Sequence, residues 1–350
     1  MLAVPAVMRI VAPALWGWLV DSIAARLRGG QPVFVALLAA LAAASFAMLT
    51  QAGDLPAVFA WVALTALFTS GILPLVDAMA LAALGAQGGG YGPVRLWGSV
   101  GFIASAMATG AWLDRAPVTV LLPLVAALML CASLSALALP RVQVAPAHTD
   151  PRGALQVLRE PRVAAFFAAC FCMTVAHGAL YTFYSIYLVD TGYSTTAVGA
   201  LWTVGVIAEI GVFVALPALF RRFSLGAILI ASFGAAALRF VAIGYGVESL
   251  AVLAAAQLLH GLTFGAYHAA AIAMVQRLFG GALAVRGQAL YASLSYGLGG
   301  VAGMLLSGWT WGSLGPELTF AISSAFGLAS ALLMAWRVSV EREITSVGHS

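Results

Sequence analysis

Four residues that can exchange a proton or hold a charge lie within long apolar stretches of the C-terminal half of the chain. They are His177, Glu209, Arg239 and His260, and each lies near the middle of a different stretch. At the centre of a bilayer, a charged side chain costs about 2.5–3.5 kcal/mol even on a lenient insertion scale. Because such residues are costly to keep, these four are the first candidates for a function that uses protons and small anions.

Glu209 and Arg239 carry opposite charges, and their placement predicts an ion pair. In the functional interpretation, a proton reaches Glu209 by way of His260 and releases Arg239, which then holds an anionic substrate. Making and breaking the pair would change the proton affinity of Glu209. His177 is a further candidate proton carrier, because histidine titrates near neutral pH. The alternative is structural: a self-neutralising pair that locks two helices together, and histidines that make ordinary polar contacts.

Aromatic side chains follow two of these residues at helical spacing, so each set is predicted to share a face of its helix. The sets are His177, Tyr181 and Tyr184 in one stretch, and His260, Phe264 and Tyr267, with His268 at the edge of that face, in another. Aromatic walls around one Arg would suit a planar carboxylate, which could stack and accept a charge-assisted hydrogen bond. The alternative is plain helix packing.

The N-terminal half contains two further ionisable residues inside apolar stretches, Arg9 and Asp77. Gly71 and Pro74 precede Asp77 and are predicted to kink its helix. Asp77 is a candidate second protonation site. It is equally able to pair with Arg9 or Arg95 for stability.

The elements that carry these residues follow from the composition. The chain has 350 residues, of which 63% are hydrophobic and only 8% are charged. Soluble domains have about 25% charged residues, so this composition excludes a cytosolic enzyme, a nucleic-acid binder and a disordered chain. It predicts a protein whose outer surface faces lipid. The sequence has no H-E-x-x-H or G-x-S-x-G motif, no metal-ligand cluster and no P-loop, so we expect neither an enzyme nor a cofactor or metal.

A transmembrane helix needs about 20 mostly apolar residues. Stretches that long and that uniformly apolar are typical of helices rather than of membrane strands. Dividing the chain at polar, Gly and Pro breaks predicts eleven spans: 2–20, 33–51, 56–84, 93–113, 117–139, 163–189, 194–220, 225–246, 249–275, 287–309 and 316–337.

Arginine placement predicts how the spans are oriented. The connections on one face contain thirteen Arg residues, whereas the opposite face contains only Arg115. Cytoplasmic loops are enriched in basic residues, so the first face is predicted to be cytoplasmic. We therefore expect a multi-pass protein of the cell inner membrane with a cytoplasmic C-terminus.

The longest polar stretch, 140–162, is predicted to be a cytoplasmic linker between two halves. It separates five spans in residues 1–139 from six spans in residues 163–338, and a cytoplasmic tail, 339–350, follows. Leu96-Trp97-Gly98-Ser99 recurs as Leu290-Tyr291-Ala292-Ser293 in a matching position of the second half. Two related helical halves joined by a cytoplasmic linker are typical of a facilitator-type transporter.

Two stretches carry a resemblance to a known family. Gly17-Trp18-Leu19-Val20-Asp21-Ser22-Ile23-Ala24-Ala25-Arg26 resembles the G-x-L-x-D-x-x-x-x-R loop of the major facilitator superfamily. Tyr91-Gly92-Pro93-Val94-Arg95-Leu96-Trp97-Gly98-Ser99-Val100-Gly101-Phe102 is similar to the phenylpropionate-permease-like branch of that superfamily. The resemblance runs along the whole chain.

The resemblance implies an all-α bundle of two pseudo-symmetric halves with twelve helices, of which this chain is expected to have eleven. The family's Asp-containing loop joins its second and third helices, whereas here it follows the first span, so the family's first helix is expected to be missing. The resemblance also implies a cytoplasmic gate formed by Asp21, Arg26 and Arg95. The positive-inside bias alone would explain both Arg residues but not Asp21.

The expected function is proton-coupled symport of a small organic solute by alternating access, most simply an aromatic monocarboxylate. Proton coupling is assigned to Glu209, His260, Asp77 and His177, and substrate binding to Arg239, Tyr181, Tyr184, Phe264, Tyr267 and His268. The expected partners are lipid, protons and a small-molecule substrate, without nucleic acid, and we expect a monomer. The alternatives are a sugar or nucleoside symporter, an efflux carrier of the same superfamily, and a non-transporting or truncated membrane protein.

Overall fold

The computed structural model describes Trp16 and residues 30–87, 91–141, 152–279 and 283–347. Every regular element in these residues is a helix, and ten helical segments are long and apolar enough to cross a membrane. This confirms the predicted all-α membrane fold. The first predicted span, 2–20, lies almost entirely outside the described residues.

The helices follow each other with short connections. The first part of the chain contains α1 (Gln31–Leu49), α2 (Leu55–Gln87), α3 (Tyr91–Leu113), a 3₁₀ turn (Val118–Val120) and α4 (Leu121–Ala136). Next come α5 (Arg152–Leu158), α6 (Pro161–Ala176), α7 (Gly178–Asp190), α8 (Thr195–Arg222), α9 (Leu225–Tyr245) and α10 (Leu250–Leu258). The last part contains a π-helix (Gly261–Ala266), α11 (Tyr267–Phe279), α12 (Ala284–Tyr291), a second π-helix (Ala292–Gly299), α13 (Gly300–Leu314) and α14 (Pro316–Val347).

Three serines define where consecutive helices of the C-terminal half begin. Ser194, Ser224 and Ser249 precede α8, α9 and α10, and each side chain accepts a hydrogen bond from the backbone N–H three residues later, at 3.2, 3.2 and 3.4 Å. Such N-caps satisfy one of the free backbone donors of a first helical turn. They therefore fix the start of the helices that carry Glu209 and Arg239 and of the span that contains His260.

The chain divides into two compact units. The first is drawn from residues 1–98 and 115–148, and the second from residues 99–114 and 149–350. In the first unit, Oγ of Ser133 donates a hydrogen bond to the carbonyl of Ala36 at 2.8 Å and joins α4 to α1. The second unit has a large core that includes the fully buried side chains of Phe166, Phe233, Phe240 and Phe320.

Glycines allow α13 to approach the junction of α6 and α7 very closely. A Cβ atom on Gly178 would lie 2.4 Å from the backbone of Gly303, and a Cβ atom on Gly303 would lie 2.8 Å from the carbonyl oxygen of Val175. Gly303 belongs to the small-xxx-small pair Gly299–Gly303, a pattern that permits close helix packing in membranes. Only residues without a side chain fit at this contact.

The predicted spans within the described residues correspond to helices whose ends differ by a few residues, with two internal differences. The span predicted as 163–189 is interrupted at His177, where α6 ends and α7 begins. The span predicted as 249–275 contains the π-helix Gly261–Ala266. In addition, α5 forms within the polar stretch 140–162, and α14 extends to Val347 through most of the predicted tail.

Candidate functional site

Arg239, on α9, is fully buried and forms the centre of the candidate site. Its Nη2 donates a hydrogen bond to Oε1 of Gln257 at 2.8 Å, and its Nη1 donates to Oγ1 of Thr263 at 3.0 Å. Nη1 also lies 3.0 Å from Nδ1 of His260. Gln257, His260 and Thr263 all belong to the span Leu250–Phe279. One buried cation is therefore held by three polar side chains of a single neighbouring span.

The contact with Arg239 determines where His260 carries its proton. A guanidinium group has donors and no acceptor, so Nδ1 of His260 must be the acceptor. The proton of the neutral imidazole is then on Nε2, which lies 3.6 Å from Oε2 of Glu209. The side chains of His260 and Glu209 are only 7% and 12% exposed. Glu209, His260 and Arg239 thus form a continuous row across three spans.

The predicted direct ion pair between Glu209 and Arg239 is wrong. Among the described residues, the carboxylate contacts His260, and the guanidinium contacts the opposite nitrogen of the same ring. The imidazole stands between the two charges and can relay a proton change from one to the other. Gln257 and Thr263 were not predicted as site residues, although they lie three residues before and three residues after His260, a spacing that brings side chains to one face.

His177 lies between α6 and α7 and is 5% exposed. Its Nδ1 lies 2.8 Å from the carbonyl oxygen of Met173. Its ring stacks on Tyr181, with centroids 5.8 Å apart, and meets the ring of Phe240 edge-on at 5.0 Å. Phe240 follows Arg239 on α9, so these contacts place His177 against the helix that carries the buried guanidinium.

Tyr181 and Tyr184 both contact the indole of Trp202, on α8. Tyr181 stacks parallel to the indole at 6.4 Å and is 50% exposed, whereas Tyr184 meets it edge-on at 5.5 Å and is fully buried. The stack of His177 on Tyr181 confirms that these two residues share a face. Trp202 was not predicted as a site residue, although it lies seven residues, or two helical turns, before Glu209 on the same helix.

A second aromatic group runs along the span that contains His260. The rings of His260, Phe264 and His268 stack in a column, with centroids 5.4 and 6.0 Å apart and interplanar angles of 10° and 9°. Nδ1 of His268 lies 2.9 Å from the hydroxyl of Tyr296. His268 is therefore a full member of the face at whose edge it was predicted.

Tyr267 does not belong to this column, so its predicted place beside His260 and Phe264 is wrong. Its ring packs 5.6 Å from Phe233, and its hydroxyl accepts a hydrogen bond from Tyr291 at 3.2 Å. The reason is the π-helix Gly261–Ala266, whose wider turn shifts the phase of the residues that follow. As a result, Tyr267 points into the core of the second unit.

Of the candidate site residues in the N-terminal half, the structure describes the side chain of Asp77 alone. Asp77 is half-buried on α2, in the first unit. Arg9, Asp21 and Arg26 lie outside the described residues, as does the side chain of Arg95. The second protonation site and the cytoplasmic gate therefore stay predictions.

Comparison with known proteins identifies the family. Residues 1–322 match the model of the MFS_1 like family. The chain belongs to this family. Its members are transporters of the major facilitator superfamily, and the structure of this member has the corresponding fold.

Similar proteins include transporters named for three kinds of solute. The Probable 3-phenylpropionic acid transporter of Escherichia coli (strain K12) is 34% identical over 66% of this chain, a match that spans 61% of that protein's length. The Maltose permease of Geobacillus stearothermophilus is 26% identical over 96% of this chain and 85% of that protein. The crystal structure of a variant of the nucleoside transporter NupG has a TM-score of 0.81 and 20% identity, over 96% of this chain and 89% of that one.

Among the described residues, no group of three or more His, Cys, Asp or Glu side chains is arranged to hold a metal ion. The side chains of the site comprise one permanent cation, a carboxylate, two buried imidazoles and aromatic rings.

Proposed function

We propose that this transporter is a proton-coupled symporter of a small aromatic monocarboxylate. The observation that carries the proposal is the hydrogen bonding of Arg239, whose described partners are an amide, a hydroxyl and an imidazole rather than a carboxylate. A buried charge is costly unless it is paired. The carboxylate of a substrate would supply the missing pair through charge-assisted hydrogen bonds.

The row of Glu209, His260 and Arg239 supplies a way to couple this binding to a proton. When His260 takes a second proton on Nδ1, both ring nitrogens become donors and Nδ1 can no longer accept a hydrogen bond from Arg239. The imidazolium then pairs with Glu209, 3.6 Å away. Nη1 of Arg239 is released at the same moment and becomes available to an anion.

The same step also explains why neither the proton nor the anion would bind alone. A protonated His260 beside Arg239 places two cations 3.0 Å apart, and like charges at that distance repel strongly. A substrate carboxylate on Arg239 cancels the repulsion. Proton binding and anion binding therefore favour each other, which is the thermodynamic requirement for symport.

Aromatic side chains near the buried cation support an aromatic substrate. Tyr181 is half-exposed and stacks on both His177 and Trp202, so these three rings form an aromatic group beside the site. Offset stacking of aromatic rings contributes about 0.5–1.5 kcal/mol beyond the burial of area. The name of the relative from Escherichia coli, which refers to 3-phenylpropionic acid, agrees with this substrate class.

The test is to reconstitute the 350-residue chain in liposomes and record the external pH while single solutes are added. The panel contains phenylpropionate, its uncharged amide, a disaccharide and a nucleoside. We expect alkalinisation with phenylpropionate and none with its amide. Alkalinisation with only the disaccharide or only the nucleoside would contradict an acid as the substrate. It would favour a sugar or a nucleoside, the solutes after which the other relatives are named.

We also propose that the protein lies in the inner membrane with its C-terminus in the cytoplasm. The support is the bias of thirteen Arg against one between the two predicted faces. A reporter fused after Ser350 that is active only in the cytoplasm tests this orientation. Activity is the expected result, and an inactive but expressed fusion would contradict it.

A further inference from the structure

The imidazole of His177 has one nitrogen atom that is available as a hydrogen-bond acceptor. Its Nδ1 lies 2.8 Å from the carbonyl oxygen of Met173, which can only accept, so Nδ1 must carry the ring proton. Nε2 of the neutral ring is then an acceptor. The hydrogen bond to the preceding turn thus fixes both the tautomer and the orientation of the ring.

This acceptor is buried and has no hydrogen-bond partner among the described residues. The residue as a whole is only 5% exposed. Leaving a buried acceptor unpaired is unfavourable, and buried polar groups in folded proteins are almost always hydrogen-bonded. The orphaned atom therefore points to a group that binds there during the transport cycle.

The neighbouring polar atoms show what kind of molecule would fit. The ring of His177 meets Phe240, the residue that follows Arg239 on α9. Nε of Arg239 is also buried without a hydrogen-bond partner among the described residues, and it is a donor. The acceptor of His177 and the donor of Arg239 together suit a ligand that has both a hydrogen-bond donor and a hydrogen-bond acceptor.

We propose that Nε2 of His177 accepts a hydrogen bond from a hydroxyl group of the transported acid, so that the preferred substrate is a hydroxylated aromatic monocarboxylate. The carboxylate is bound by Arg239 and the aromatic ring lies against Tyr181, whose own ring stacks on His177. His177 is then a residue that determines specificity, in addition to the proton-carrying role that its residue type predicts. This inference rests on the proposed function and narrows its substrate class.

The experiment measures specificity ratios with the reconstituted full chain. The probes are 3-phenylpropionate, its 2-, 3- and 4-hydroxyphenyl analogues, its 2-hydroxy acid, and the methyl ether of each analogue, which cannot donate. For one hydroxylated probe we expect a ratio of initial uptake rates of about tenfold or more over both phenylpropionate and the matching ether, because a site built to bind a hydroxyl discriminates strongly against its absence.

Two variants of His177 test whether this residue is the acceptor. His177→Phe keeps a planar ring without an acceptor, and we expect the hydroxyl-to-parent ratio to fall to about one whatever the absolute rate. His177→Gln keeps an acceptor oxygen, and we expect part of the ratio to return. A purely structural role would change the rates without this pattern of loss and rescue.

The outcomes separate this inference from the function on which it rests. Uptake of acids without any preference for a hydroxyl overturns the inference and leaves the proposed function intact. A strong preference that persists in His177→Phe also overturns it, as does an equal loss of preference in both variants. If His177→Phe fails to fold, two measurements still test the inference: the wild-type preference for a hydroxyl over its methyl ether, and the same preference in His177→Gln. Failure of every acid rejects the proposed function, and this inference with it.

Discussion

Nδ1 of His260 accepts a hydrogen bond from Arg239 at 3.0 Å, and this contact directs the opposite, protonated nitrogen toward Glu209. The ring therefore has an acceptor toward the cation and a donor toward the carboxylate. A single proton added to the ring breaks the first contact and strengthens the second. This relationship makes the three residues one row of contacting side chains rather than a cation and an anion that neutralise each other.

Glu209→Gln tests the carboxylate of this row. Glutamine keeps a hydrogen-bonding side chain beside His260 but cannot take up or release a proton, so the imidazolium loses its counterion. We expect uptake driven by a pH gradient to be abolished, while exchange of labelled for unlabelled substrate continues. Both are measured in proteoliposomes.

The matched control is Glu248→Gln, because Glu248 is exposed and lies outside the site. This variant should retain both driven uptake and exchange. If Glu209→Gln loses exchange together with driven uptake, the carboxylate is needed for substrate binding or for folding, and its assignment to proton coupling is contradicted.

Arg239→Ala tests the site of the substrate carboxylate. Hydrogen bonds to charged groups contribute about 1.5–3 kcal/mol, so the acid should bind at least about tenfold more weakly. The uncharged amide analogue does not use this charge, and its weak binding should change little. Binding is measured by calorimetry on purified protein, with Arg277→Ala, which removes an exposed cation of α11, as the control. Equal losses for acid and amide would indicate that Arg239 is structural.

The sequence is sufficient to predict the spans that lie within the described residues, and it singles out three residues that the structure brings together. A uniformly apolar stretch of bilayer length can satisfy all its backbone hydrogen bonds internally by forming a helix. For this reason the predicted helix ends agree with the observed ones to within a few residues. Glu209, Arg239 and His260 could be found because charge is rare in such stretches. Gln257 and Thr263 are uncharged and did not stand out, although they complete the coordination of Arg239.

Two of the errors share a physical cause, which is local departure from α-helical winding. The prediction placed Tyr267 beside His260 by assuming 3.6 residues per turn, but the π-helix Gly261–Ala266 lies between them. The only sequence signal for the helix break at His177 is the glycine at position 178. The reason for this glycine becomes visible in the structure, where the backbone of Gly303 approaches it closely. The prediction of a direct Glu209–Arg239 pair was wrong for another reason. Spacing along the chain does not show that a side chain from a third helix, that of His260, lies between the two.

Gly303→Ala tests the close contact between α13 and the end of α6. The new Cβ atom would lie 2.8 Å from the carbonyl oxygen of Val175, and backbone cannot move aside as a flexible side chain can. Overpacking of this kind costs about 1–3 kcal/mol, so we expect a lower midpoint of thermal unfolding in detergent. The control is Gly308→Ala on the same helix, where nothing lies within 4 Å of the new atom. Equal midpoints for the two variants would contradict the contact.

Asp114 joins the end of α3 to the start of α8 and makes the stability of the second unit depend on pH. Its carboxylate accepts hydrogen bonds from the hydroxyls of Thr195, at 2.6 Å, and Thr196, and from the backbone N–H of Thr196 at 3.3 Å. The hydroxyl of Thr195 and then that of Thr196 lower the pKa of Asp114 from 3.8 to about 2. The hydrogen bonds therefore favour the ionised form of the folded protein.

The sign of the effect follows from this shift. A carboxyl group whose pKa is lower in the folded state contributes its full stabilisation above the unfolded value of 3.8 and loses it as the pH falls toward about 2. We expect Asp114→Ala to unfold at a lower temperature than the wild type at pH 7 and at pH 5, and the difference to shrink between pH 4 and pH 2. Thermal unfolding of both proteins across this range measures it. A difference that stays constant down to pH 2 would mean that Asp114 acts through packing rather than through its charge.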